Sequence, residues 1–591
     1  MSLDSLLEQT ARASKFDPCN YEALREHFPP PLGEGPKLLP HLERHSEQAF
    51  GKLAEAGLPQ LRRVDDYVRC LAEEWFERVT SYAARLKAAD QVLDWHTLRF
   101  RLTRYTALKG CGCKVPQSEL LEWLGATRTI MRSPSKGLAR PSGFMSDKPD
   151  DEGGMLPAPG VELGVGMDAS VVRLPYRATV EKNAGERDED GSLDSRSDLY
   201  LISTTDFFFP LVEDPYLMGR IAAANVLSDA YALGIRTPPS TMLMLLCASR
   251  DIEPASLRAA VAQTMMAGFM DACHDAGTQV TGGQTTLNPW PLIGGVAETV
   301  VPREGFIMPD GAQAGDTIVL TKPLGTQLAV NLYQWLGQIE DAHYIGLLES
   351  LESERHTEQE RHRLLGETPL EQGRASLGKN ASSDADHNPA NPDRLWRSLR
   401  AATSSVLEQL PVSARLALAQ GRQARLNYAM VEDLLSPEEV CRAYDLASAS
   451  MARLNAKAAR LAHESGAAHA VTDITGFGIL GHARNLARNQ KAPVDFEIHV
   501  MPVIHGMMRA NQALHDGKMF RLHEGLSAET SGGLFICFGG VCAAQDSEFV
   551  ARQFCERLAA EDGGWPAWII GKVVPGNRDA RIVDNVQILE I

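Results

Sequence analysis

Residues 204–234 read TTDFFFPLVEDPYLMGRIAAANVLSDAYALG, and the change of rhythm within them decides the fold. Leu199 to Asp206 is an apolar, β-branched run that arrives at an aspartate, the pattern of a strand delivering a polar side chain at its end. Beyond it Asp214 offers an N-cap, Pro215 suits the first helical position and Gly234 can close the C-terminus. Between these signals Ile221, Val226 and the run Ala222–Ala224 supply a packing surface. Asn225 and Asp229, four apart, project from one face. A strand and a helix in direct succession, each bearing a carboxylate, predict an α/β-type or α+β architecture. A carboxylate and an amide on one helix face beside tight alanine packing suit the wall of a metal and nucleotide site.

The same strand-into-loop form recurs at Leu163–Asp168, at Thr278–Thr285 with Gly282 and Gly283, and at Ala468–Gly478 with Asp473. Strand ends aimed at one place commonly build a ligand site, and glycines there let backbone amides approach phosphate oxygens. Taken singly, Asp168, Asp206 or Asp473 is more often a turn-former or helix cap than a ligand. Their recurrence in similar contexts shifts the balance, because a hard cation such as Mg²⁺ draws several carboxylates together with substrate phosphates. Gly476–Gly481 fits the dinucleotide fingerprint G-x-G-x-x-G, with Asp495 following. Asp473 and Thr475 would then put a carboxylate where a pyrophosphate should approach, and no repeated βαβ pattern follows. No G-x-x-x-x-G-K-[ST] occurs, which excludes a P-loop.

Gly110-Cys111-Gly112-Cys113-Lys114 is the other segment with reactive character. Two thiols one residue apart could be half of a zinc site, but no second cysteine pair or paired histidines follow at zinc-like spacing. Flanking glycines leave the sulfurs exposed on a mobile loop, and Lys114 would lower a thiolate's pKa or neutralise phosphate charge. An exposed thiol flanked by a cation reads as a nucleophile or soft-atom handler. Cys113 has no assigned role.

The 591 residues allow several domains. A formal net charge of −17 argues against nucleic acid or an anionic membrane as partner, since both need clustered lysine and arginine. The sequence shows no secretory signal and no apolar run of spanning length, which predicts a cytoplasmic protein. Ten cysteines are too sparse for a disulfide scaffold. Residues 1–97 read as a helical extension, with apolar residues three and four apart from Leu61 to Leu86. Two mixed blocks follow, 98–310 and 311–591, the second carrying an insert at about 338–437. Within the insert, Asn380–Asp393 has the composition of a disordered tract. Ser133–Gly160 and the charged segment Glu181–Asp198 read as loops.

Several stretches together resemble the selenophosphate synthetases (selenide, water dikinases), in the wording of the eukaryotic branch. They are Arg101–Pro116 (RLTRYTALKGCGCKVP), Gly164–Asp168 (GVGMD), residues 204–234, Thr281–Trp290 (TGGQTTLNPW), Thr321–Gln327 (TKPLGTQ), Thr472–His482 (TDITGFGILGH) and Glu529–Gly533 (ETSGG). The resemblance implies an α+β fold of two domains shared with aminoimidazole ribonucleotide synthetase, with an N-terminal ATP-binding and dimerisation domain. It implies conversion of selenide, ATP and water into selenophosphate, AMP and orthophosphate, which supplies activated selenium for selenocysteine synthesis. Mg²⁺ is the implied cofactor, with K⁺ as an optional second cation. A homodimer is implied, and a selenium-delivery protein is a further candidate partner.

Carried over residue by residue, Cys111 matches the family's reactive cysteine or selenocysteine, and Lys114 its catalytic lysine at the nucleotide. Asp168, Asp229 and Asp473 match magnesium ligands, the first two also lying at the nucleotide, and Asp206 matches a nucleotide-site carboxylate. Gly166, Met167, Gly283, Gln284 and Thr285 match nucleotide-binding positions. Both covalent capture and orientation of selenide remain open for Cys111. Ser527-Ala528-Glu529 departs from the family's usual proline, and the N-terminal extension and the insert have no counterpart in it. The competing expectations are another ATP-dependent phosphotransferase of this fold and a catalytically inactive regulatory paralogue.

Overall fold

The computed structural model describes residues 101–106, 110, 114, 161–163, 167–181, 194–252, 255–339, 420–421, 423–542 and 546–591. The helical extension, the loop 133–160 and the bulk of the insert with its disordered tract lie outside the described residues, as do Cys111, Cys113 and Gly166.

The N-terminal sheet has six strands: β1 (Val161–Leu163), β2 (Ser170–Glu181), β3 (Asp194–Phe208), β4 (Thr241–Ser249), β5 (Val280–Asn288) and β6 (Leu292–Pro302). Their order is β1-β2-β3-β6-β4-β5. All pairs are antiparallel except β4 with β5. That parallel pair is joined by a helical crossover, as parallel neighbours require. The ladder of β2 on β3 runs through Glu181↔Asp194 and Arg177↔Asp198. The two ends of the predicted loop 181–198, Glu181 and Asp194–Asp198, are therefore strand, their charged composition notwithstanding, and residues 182–193 lie outside the described residues.

Two helices cover this sheet: α1 (Pro215–Tyr231) and α2 (Ala255–Asp275). The boundaries of α1 follow from its sequence signals. Asp214 accepts the N–H groups of Tyr216 at 2.7 Å and Leu217 at 3.2 Å, and Gly234 follows the helix at φ +58°. Helix α1 is almost wholly buried, its polar side chains included, which marks a helix with packing partners all round. Its contact with α2 is backbone against backbone. A Cβ on Gly219 would lie 2.0 Å from the Met265 carbonyl oxygen, and one on Gly268 1.9 Å from that of Tyr216. Glycine is needed at both crossings.

The second sheet contains β7 (Thr317–Leu320), β8 (Ala468–Asp473), β9 (Val494–Val503), β10 (Leu534–Phe538), β11 (Trp568–Pro575) and β12 (Ala580–Glu590), in the order β12-β9-β11-β7-β10-β8. Its strands are antiparallel except β12 with β9. Helices α3 (326–339), α4 (Pro437–Ala452), α5 (Ala456–Glu464), α6 (Gly478–Arg488), α7 (Met507–Ala513) and α8 (Ser547–Glu561) belong to this half, as does a helical segment at 423–428. Helix α4 opens on a full capping box between Ser436 and Glu439. Helices α4 and α5, together with the edge strand β8, pack on α1, so one buried helix joins the two halves into a continuous apolar core. No helix among the described residues is long and apolar enough to cross a membrane.

Candidate active site

The site forms where β3, the loop after β1 and helix α1 meet the end of β8. Asp206 lies inside β3 rather than in a loop beyond it, still paired with Gly295 across the ladder. Its carboxylate is nonetheless well supplied. Oδ1 accepts the N–H of Phe207 at 2.9 Å. Oδ2 accepts Asn225 Nδ2 at 2.6 Å and Lys114 Nζ at 3.2 Å. Gly110, four residues before Lys114, is anchored just past the end of this strand, where it donates its N–H to the Phe209 carbonyl at 3.0 Å. Gly110 has φ +48°, and a Cβ there would meet Thr530 Oγ1 at 2.9 Å. A left-handed backbone at a close approach explains the glycine.

Three further carboxylates share this neighbourhood. Asp168, in the bend between β1 and β2, accepts Thr472 Oγ1 at 2.6 Å on its Oδ2. Asp229 on α1 accepts the hydroxyl of Thr204. Asp473, the last residue of β8, accepts Ser228 Oγ at 2.6 Å on its Oδ2. Its Oδ1 is buried and has no hydrogen-bond partner. Burial and mutual repulsion disfavour ionisation across the group. Asp168 is pushed up to about 7 by burial and then by the charge of Asp473. Asp473 is pushed up to about 6, chiefly by burial, and Asp229 rises well above the ordinary carboxylate range for the same reasons. Lys114 opposes the rise at all three. One ammonium facing four carboxylates leaves an excess of negative charge among oxygen donors. That donor set, with one buried oxygen left unpartnered, fits a hard divalent cation.

Asp168, Asp206, Asp229, Asp473 and Lys114 are thus brought together from elements far apart in sequence, and half-buried Met167 adjoins Asp168. Gly283, Gln284 and Thr285 are not part of this cluster, nor do they form a loop. They lie within β5, exposed, on the outer edge of the sheet. Three strand spacings separate β5 from β3, about 14 Å. Gly283 has φ +141°, and a Cβ there would meet the Met244 carbonyl oxygen at 1.9 Å.

His482 has a place here that no sequence pattern announced. Its ring nitrogen lies in a group with carboxylate oxygens of Asp168 and Asp473, all within 4.8 Å of one another. Nε2 accepts the N–H of Thr475 at 3.1 Å, and burial, aided by the charge of Lys114, lowers its pKa to about 3, which keeps it neutral. Lys322, in the quoted segment 321–327, is fully buried beneath the site. Its Nζ donates to the carbonyls of Arg453 at 2.6 Å and Ser531 at 2.7 Å, which supports Ser531 at φ +47°. Ser531 in turn donates its N–H to Asn225 Oδ1 at 2.7 Å. The fingerprint at Gly476–Gly481 binds no dinucleotide in the usual manner, because β8 is an antiparallel edge strand. Gly478 is glycine because its Cβ would strike the Gly525 carbonyl at 2.5 Å.

The model of the AIR synthase related protein N-terminal domain matches residues 187–301, and that of the C-terminal domain matches 413–584. The expected two-domain α+β fold of this type is borne out. Thiamine-monophosphate kinase from Stenotrophomonas maltophilia overlaps loosely, with TM-score 0.36 at 16% identity over 72% of this chain and 92% of that one. Selenide, water dikinase 3 of Danio rerio is 39% identical over 500 residues, 83% of this chain and 86% of the relative. Selenide, water dikinase 2 of Homo sapiens is 39% identical over 497 residues, covering 83% and 84%. Selenide, water dikinase of Trypanosoma brucei brucei is 37% identical over 475 residues, covering 80% and 85%. Identity at this level, over 80–83% of the chain, places it in the selenide, water dikinase family.

Proposed function

We propose that this chain is an active selenide, water dikinase that converts selenide, ATP and water into selenophosphate, AMP and orthophosphate, with Asp168, Asp229 and Asp473 holding Mg²⁺. The observation that carries the reading is the cluster of four carboxylates around Lys114, Asp206 and Asp473 buried and Asp168 and Asp229 half-buried, with Asp473 Oδ1 left without a partner. Bound Mg²⁺ would supply charge neutralisation at the phosphate oxygens. The protein's own part is positional and electrostatic. Thr472, Thr204 and Ser228 each give a hydroxyl proton to one carboxylate, which fixes its rotation and leaves the remaining oxygen lone pairs for a cation. Asp206, itself oriented by Asn225, holds the Lys114 ammonium at the rim, where it offsets charge that accumulates as two phosphate linkages are cleaved.

Cys111 completes the reading as the residue that receives selenide at the site. Gly166 and Met167 are read as backbone contacts to the nucleotide. The exposed β5 edge supports a homodimer, because unpaired strand edges invite pairing with another chain. Pairing of this kind would carry Gly283, Gln284 and Thr285 of one copy toward the nucleotide of the other. A cytoplasmic location and a selenium-delivery partner belong to the same reading.

The test is the dependence of AMP formation on selenide, with phosphorus NMR to detect selenophosphate. Both signals should vanish in Cys111→Ala. Equal AMP formation without selenide would remove the substrate assignment, and ADP as the product would point to another phosphotransferase of this fold.

A further inference from the structure

Asp229 and Asp473 belong to different halves of the chain, and the residue that couples them is Ser228. It precedes Asp229 in α1 and is fully buried. Its Oγ lies 2.6 Å from Asp473 Oδ2. On its other side Asn455 Nδ2 approaches the same hydroxyl oxygen at 3.0 Å and the carbonyl oxygen of Gly532 at 2.8 Å. The direction of each hydrogen bond follows from elementary chemistry. A carbonyl only accepts, so the nitrogen of the Asn455 amide, not its oxygen, faces Gly532 and therefore Ser228. The Ser228 oxygen accepts from Asn455, and its single proton turns to Asp473 Oδ2. That oxygen is committed as an acceptor. Oδ1, buried and without a hydrogen-bond partner, is the one left over.

We propose that Ser228 is a positioning residue of the cation site: backed by Asn455, it fixes the rotation of the Asp473 carboxylate and reserves Oδ1 for the metal. This rests on the reading of Asp473 as a metal ligand. Because Ser228 and Asp229 are adjacent on one rigid helix, the device also fixes the spacing of two ligands contributed by opposite halves. Outer partners of metal ligands commonly contribute a factor of 10–100 to affinity.

The test is titration of the full chain with Mn²⁺, followed by EPR, for the wild type, Ser228→Ala, Asn455→Ala and Asp473→Asn. Melting in EDTA checks that each variant is folded. Asp473→Asn should lose the bound signal. Ser228→Ala should weaken Mn²⁺ about tenfold and raise the apparent KM for Mg²⁺ in turnover, while kcat at saturating Mg²⁺ stays within about threefold of wild type. Asn455→Ala, which leaves both Ser228 and Asp473 in place, should shift Mn²⁺ affinity in the same direction by a smaller factor. It carries the test should Ser228→Ala not fold. Wild-type Mn²⁺ affinity in Ser228→Ala and Asn455→Ala, with binding lost in Asp473→Asn, overturns the positioning role and leaves the metal reading standing. Undiminished binding in Asp473→Asn overturns both.

Discussion

Replacing Asp473 with asparagine should make the metal-free protein more stable while removing its activity. Asp473 is fully buried, and its pKa stands at about 6 in the fold against an ordinary 3.8. Burial is the main cause, and Asp206 adds repulsion. About two pKa units at about 1.4 kcal/mol each means that the ionised carboxylate weakens the fold by about 3 kcal/mol. The folded pKa is raised, so this penalty is absent below the unfolded value near 3.8. It grows as pH rises to about 6 and is constant above that. Asparagine keeps the shape and an acceptor oxygen for Ser228 but carries no charge. In EDTA at pH 8, urea unfolding should show a gain of about 3 kcal/mol over wild type, falling to about half of that at pH 5. Asp168, raised in part by the charge of Asp473, is relieved at the same time and adds to the gain. AMP formation should fall by about 10²-fold or more. A variant no more stable than wild type at pH 8, or one whose gain is the same at both pH values, refutes the electrostatic account of the cluster.

Lys114→Met removes the cation bonded to Asp206 and should lower kcat/KM for ATP by about 10²–10³, measured as selenide-dependent AMP release. The His469 ring is held above its usual pKa by its hydrogen bond to Asp316. This stabilisation is fully present below about pH 6.5 and is lost as pH rises through the folded pKa. The stability advantage of wild type over His469→Gln in urea should accordingly be larger at pH 6 than at pH 9, and a pH-independent difference would rule the pairing out as its source. Gly283→Ala brings a Cβ to 1.9 Å from the Met244 carbonyl at a backbone φ of +141°. It should destabilise the chain by about 2 kcal/mol or more, and an unchanged urea midpoint would contradict that.

Local chemistry was legible in the sequence, and register was not. Helix α1 could be bounded from Asp214, Pro215 and Gly234 because capping involves only near neighbours. Asp473, expected in the loop that follows a strand, is the last residue of β8. Asp206 and Gly283–Thr285 were expected in loops yet lie within β3 and β5, because the length of a ladder is set by the partner strand. Glu181 and Asp194–Asp198, at the two ends of the charged segment, are strand for the same reason. Composition argues for a loop until Asp194–Asp198 find Arg177–Glu181 across the hairpin. Ser228, Asn455, Thr472 and His482 gave no separate signal, since small hydroxyls, amides and single histidines are common everywhere. Their partners are close only in space: Thr472 bonds a carboxylate 304 residues away, and Ser228 one 245 residues away.

Helix α1 shows why such a site can be both buried and accurately set. Three of its side chains reach toward the site on successive turns, namely Asn225, Ser228 and Asp229. Asn225 joins Asp206 of the first sheet to the backbone of Ser531 in the second half. Ser228 joins Asp473 and Asn455. Asp229 takes a proton from Thr204 of β3. Every other face of the helix is pinned, by glycine-mediated backbone contact with α2 on one side and by α4, α5 and β8 on the other. A helix so enclosed cannot adjust to local repulsion among the carboxylates by moving away. The strain is expressed as raised pKa values instead of displaced backbone. A cation that relieved this repulsion would enter a set of oxygens already in place, so its binding would stabilise the junction between the two halves and reorganise little.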